Sequence, residues 1–192
     1  MPNPGMEERG RALEKAFFPK QHREQLAQLR WKQEESKARE ALADASGLHD
    51  SDLLARLAGL GIRAETLAAL TLIPLVEVAW ADGEIDPRER EAILRGAESV
   101  QIAKSSPSYT LLEIWTLDRP APDLMETWRH YLHALTSELT REQKQHLEEK
   151  IVGRARAVAE AAGGFLGLGS GTSVSPEEEA VLAKLARAFA AS

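Results

Sequence analysis

Apolar residues recur three and four positions apart along most of this 192-residue chain, with polar residues filling the faces between them. That period is the one an α-helix imposes. The densest stretch runs from Thr71 to Leu94. Leu72, Leu75, Val76, Ala79 and Trp80 form one apolar stripe. Gly83 follows as a left-handed stop, because it has no Cβ to clash there. Asp86, Pro87 and Glu89 then supply an N-cap, a first-turn proline and the third-position Glu of a capping box. Ala92, Ile93, Ala97 and Val100 carry the apolar face onward. The prediction is a helix, a four-residue corner and a second helix.

The flanking chain reads in the same way. Met1 to Gly5 is expected to be disordered. A short helix is predicted from Glu7 to Phe18, stopped near Pro19, and a long charged helix from Lys20 to Ala45. The long helix has apolar residues near its two ends (Leu26, Leu29 and Trp31, then Ala38, Ala41 and Leu42) and a wholly polar middle, Lys32 to Lys37. A helix polar all round is not packed there, so it reads as an arm, either solvated or partner-binding. Removing the chain through Ala45 should leave a folded body.

Gly47 closes the arm, and Asp50 or Ser51 caps a helix carrying Leu53, Leu54, Leu57 and Leu60, ended by Gly61. The central helix starts at Ala64 or Glu65, and Pro74 should kink or break it. Ser106-Pro107 opens a helix with Leu111, Leu112, Ile114 and Trp115. Asp118 to Pro122 is a loop, and Asp123 to Leu139 a helix. Thr140 and Gln143 form a capping box starting a helix to Ala162. No stretch alternates with period two for long enough to be a strand. The fold class is all-α.

An internal repeat organises the C-terminal two thirds. Val78 to Asp86 aligns with Val158 to Leu166, and Asp86-Pro87-Arg88-Glu89 aligns with Ser175-Pro176-Glu177-Glu178. Ala92, Ile93, Ala97 and Val100 then meet Val181, Leu182, Ala186 and Phe189 in the same register. A nine-residue insertion separates the two matches and turns the second corner into a glycine-rich loop. Two helix–corner–helix units related by a pseudo-two-fold are expected. The division is an arm over 1–50 and an all-helical domain over 51–192.

Composition narrows the function. The apolar fraction of 43% supports a real core. A net charge of −6 argues against a nucleic-acid footprint and against docking on anionic lipid. The absence of cysteine excludes disulfides, thiolate metal sites and thiol catalysis. No apolar run follows the start, and Leu67 to Ala81 is too short to span a bilayer, so a cytoplasmic protein without membrane insertion is expected.

Asp82, Glu84, Asp86 and Glu89 place four carboxylates within eight residues. The run resembles the second half of a calcium loop, but the first-half ligand positions fall on Val78 and Trp80. What remains could hold a hydrated Ca²⁺ or Mg²⁺ at Asp82, Asp86 and Glu89, or simply stop one helix and cap the next. The second corner has Ala162 where the first has Asp82. Its loop either folds back on the domain as a structural element, the favoured reading, or offers Gly163, Gly164, Phe165, Gly167 and Gly169 as a partner or anion site. It lacks the lysine of a nucleotide P-loop, and Glu177, Glu178 and Glu179 at the next helix start would repel phosphate. Glu126, His130 and His133 share a helix face but lack a fourth ligand, and read as ordinary surface. Trp80, Trp115 and Trp128 read as core and Trp31 as partly exposed. No hydrolase triad, elbow serine or dinucleotide fingerprint occurs.

The corner Ala79-Trp80-Ala81-Asp82-Gly83-Glu84-Ile85-Asp86, followed by Pro87, Glu89 and an apolar helix, resembles that of the TerB-like tellurite-resistance domains. The amino-terminal domain of a membrane-anchored J-domain co-chaperone shares the signature. The resemblance covers about Leu67 to Val100, extends more faintly to the C-terminus, and leaves roughly the first sixty residues outside it. It implies a TerB-like helical bundle in a bacterial cytoplasm, tied to metal or stress response, with acidic corner residues as proposed metal ligands. The functional expectation is a non-catalytic protein binding a hard cation at the corner, a protein partner, or both. The alternatives are a pure interaction module with a structural corner and, further off, an unrecognised hydrolase.

Overall fold

The computed structural model describes residues 4–137, 139–162 and 174–190, with side chains from Glu24 onward in the first helix. Among these residues every regular element is helical. The elements are α1 (Pro4–Ser46), α2 (Ser51–Gly59), a 3₁₀ helix (Ala64–Leu72), α3 (Ile73–Ala79), α4 (Pro87–Ser99), α5 (Pro107–Trp115), α6 (Pro122–Thr136), α7 (Arg141–Ala162) and α8 (Pro176–Ala190). No single described helix is long and apolar enough to cross a membrane.

Most element ends follow the local signals. Gly47, Gly61 and Gly83 adopt positive φ of 69°, 80° and 100°, a backbone conformation glycine enters without steric cost. Asp50 caps α2 by accepting from the Asp52 and Leu53 N–H groups. Ser106 accepts from Tyr109 N–H at the start of α5. Thr140 and Gln143 exchange the two bonds of a capping box ahead of α7.

Three expectations change. The two predicted N-terminal helices are one, because α1 runs through Pro19. A proline inside a helix fits its φ but loses its own N–H bond and crowds the carbonyl four residues earlier. Flanks rich in Ala, Leu, Glu, Lys, Gln and Arg carry the helix across that gap. The same helix already includes Pro4 and Gly5, which were expected to be disordered. The central helix, by contrast, is broken as Pro74 implies. It begins as a 3₁₀ helix and becomes α-helical at Ile73, with Pro74 in the first turn of α3. Pro74 therefore marks the break, at a position where its missing N–H has no intrahelical partner to lose. Lastly, Pro122 opens α6 rather than closing the loop before it.

The core gathers around the short α3, every residue of which except Glu77 is buried. α7 lies across both α3 and α4, and α8 packs on α7 and α3. Leu75, Ile93, Leu132, Val158, Leu182 and Leu185 meet there with almost no exposure. Gly96 lies where a Cβ would come within 2.9 Å of Leu75 Cδ2, so the glycine lets α4 approach α3 closely. Trp128 meets Phe189 edge to face, with centroids 6.3 Å apart. Trp80 is half-buried and its indole N–H donates to the Trp115 carbonyl at 2.8 Å. Ser108 ties α5 to the 3₁₀ helix by donating to the Glu65 carbonyl. On the arm, Leu42 is fully buried and Ala38 packs on the core, whereas Trp31, Leu29 and Leu26 are exposed.

Candidate functional site

The acidic corner begins where α3 ends. Trp80 and Ala81 N–H groups return to the Val76 and Val78 carbonyls, and Gly83 N–H to Trp80. Asp82 Oδ1 accepts from Glu84 N–H at 3.1 Å, a local turn that orders the corner from its own side chain. Ile85 packs against the core and anchors the chain between Gly83 and Asp86. Asp86 Oδ1 then accepts from Arg88 N–H at 2.6 Å and Glu89 N–H at 2.9 Å, while Glu89 Oε2 accepts from Asp86 N–H at 2.9 Å. These are the reciprocal bonds of a capping box, satisfying donors that the first helical turn leaves orphaned.

The second corner repeats this local geometry. Ser175 Oγ accepts from Glu178 N–H at 3.2 Å, and Glu178 Oε2 accepts from Ser175 N–H at 2.6 Å. Both third-position glutamates are buried, Glu89 at 4% and Glu178 at 6% exposure. The Glu89 carboxyl is pushed up from the ordinary 4.5 to about 7. Burial is the largest cause. The Asp86 N–H bond acts in the opposite direction, and the neighbouring charges of Asp86, Glu178 and Asp82 add to the rise. Burial disfavours the charged form of a carboxyl, and nearby like charges disfavour it further.

Of the three predicted cation ligands, Asp82 is exposed, Asp86 half-buried and Glu89 buried. Asp82, Asp86 and Glu89 each give an oxygen to a backbone N–H. Among the described residues no three His, Asp or Glu side chains are placed to hold a metal ion between them. Glu126, His130 and His133 are all exposed on α6. The predicted loop site, Gly163, Gly164, Phe165, Gly167 and Gly169, lies outside the described residues.

The arm presents a second candidate surface. Trp31 is 67% exposed and Leu29 57%. Trp31 stands eleven residues before the buried Leu42, on the same helical stripe. That stripe faces the body at Leu42 and Ala38 and is exposed at Trp31. A cleft of about 500 Å³ results, with Trp31, Ala38 and Ala41 on one wall and Ala58, Gly61 and Ala64 on the other. The sequence signalled the exposed tryptophan; the opposing wall comes from the α2–3₁₀ junction, which periodicity does not place.

In comparisons with known proteins, no protein-family model, no curated protein and no solved structure matches this chain.

Proposed function

We propose that this chain is a non-catalytic, cytoplasmic protein-interaction module of TerB-like type, working in a stress or tellurite-resistance setting and using α1 to engage a protein partner. The setting and the TerB-like assignment rest on the resemblance of the Ala79–Asp86 corner. The pseudo-two-fold belongs to the same reading, supported by matching capping boxes at Asp86–Glu89 and Ser175–Glu178. The partner reading is carried by one observation: Trp31 is held out over the arm–body cleft, with Leu29 and Leu26 exposed nearby. Tryptophan concentrates binding energy at protein interfaces when a partner covers it. A co-purification with wild type and with the Leu29→Ala/Trp31→Ala variant tests it. The partner should be lost with the double variant while the melting temperature stays within about 2 °C, since exposed positions contribute little to stability. Equal recovery by both proteins would remove the arm as the interface.

A cation at the corner is the second reading, and the concentration of negative charge around Glu89 favours it. A hydrated Ca²⁺ or Mg²⁺ held by Asp82, with Asp86 and Glu89 assisting, would relieve that repulsion. Millimolar Ca²⁺ or Mg²⁺ should then raise the melting temperature by mass action, and Asp82→Asn should abolish the shift. A wild-type melt indifferent to both cations leaves the corner as a helix stop and a helix cap.

A further inference from the structure

On the face formed by α3, α6 and α8 a cleft of about 630 Å³ opens, and its charge runs against that of the whole chain. Arg119, from the loop before α6, Arg129, from α6, and Lys184, from α8, line it with the single carboxylate Glu77 of α3. Met125 and Val181, both half-buried, supply apolar wall. The chain as a whole carries a net charge of −6. Among the described residues no carboxylate forms an ion pair with any of the three side chains, and Glu77 is the one carboxylate in the lining. Arg119 precedes Pro120, which biases its backbone toward extended conformations.

We infer that this cleft binds a small organic anion, bearing a phosphate or carboxylate at one end and an apolar part at the other. The volume lies within the range of small-molecule sites. Guanidinium groups match phosphate and carboxylate oxygens with paired hydrogen bonds, and Lys184 adds a point charge. The apolar part of the ligand lies against Met125 and Val181. Glu77 disfavours ligands that are negative all round, so the site selects for charge at one end only.

Titration of the full-length, ¹⁵N-labelled chain with phenyl phosphate and with phenylacetate, followed by NMR, tests this. Inorganic phosphate and phenol serve as probes that each lack one half of the ligand. At least one of the two complete probes should give saturable shifts centred on Arg119, Arg129 and Lys184, and the tighter one identifies the anionic group. Both half-probes should bind at least tenfold more weakly. Arg129→Ala/Lys184→Ala should weaken binding at least tenfold, since it removes two charge-assisted contacts, and Lys150→Ala on the exposed face of α7 should not. Arg119→Gln provides an independent variant outside any helix, should the double variant disturb folding. Glu77→Gln should tighten binding. Absence of saturation by both complete probes up to ~10 mM overturns the inference. Equal weakening by Lys150→Ala also overturns it, reducing the effect to general charge.

Discussion

Glu89 carries a carboxyl that the fold needs as a hydrogen-bond acceptor but holds in a place hostile to its charge. Its folded pKa lies at about 7, above the ordinary 4.5. Between those values the folded state keeps a proton that the unfolded chain has released. The stabilising contribution is therefore complete below about pH 4.5 and is lost as pH rises through 7. The full shift is worth on the order of 3 kcal/mol. Glutamine can still accept from Asp86 N–H and carries no charge. In chelator-containing buffer, Glu89→Gln should melt close to wild type at pH 5 and roughly 5 °C or more higher at pH 8. A variant less stable than wild type at pH 8 would show that the charged form is the one the fold uses. Gln101 gives a second residue-level prediction. It ends α4 at φ 64°, with Ile102 N–H returning to the Ala97 carbonyl, and its Cβ is strained there. Gln101→Gly should stabilise by about 0.5–1 kcal/mol, read from denaturant midpoints at constant slope.

Among the elements, α1 shows how one helix can belong to two regimes. Its residues from Glu24 to Glu34 are exposed, but Glu35 and Ser36 of the polar middle are already half-buried, with Glu35 lining the arm–body cleft, and the last turns do not stay free. Leu42 is completely buried, and α1 packs on α2 and the 3₁₀ helix. The boundary between arm and core thus falls within α1, before Ala38, rather than after it. Deleting residues 1–30 should leave cooperative melting unchanged, because the described side chains removed are exposed. Deleting through Ala45 should cost about 2–5 kcal/mol, the range for emptying a buried leucine site, with a matching fall in denaturant midpoint. Equal stability of the two truncations would place Leu42 outside the core. The central segment teaches a related lesson. Pro74 announces a discontinuity, but nothing in the residues before it distinguishes a 3₁₀ helix from an α-helix, since both present an apolar face at similar spacing.

At the scale of the whole molecule, circular dichroism should report a helical protein with negligible strand signal, because every described regular element is helical. A substantial strand contribution would contradict the fold. The all-helical class, the capped corners, the glycine stops and the exposed Trp31 were all legible in the sequence. Each depends on interactions within a few residues: a side chain closing on its own helix start, a missing Cβ, an apolar stripe at helical spacing. Other features needed the packed structure. Gly96 in sequence is a weak point inside a helix; packed, it is the contact that admits Leu75. Glu89 and Glu178 read as ordinary capping residues, and their mutual repulsion arises because separate helix starts converge under burial. Arg119, Arg129 and Lys184 stand too far apart in the chain for any spacing rule to join them, and α6 and α8 bring them to one cleft. Local geometry follows from short-range sterics and hydrogen bonds, which a linear sequence carries in full. Burial, coupled charge and cavity shape depend on which faces pack together, and only the long-range contacts of the folded chain decide that.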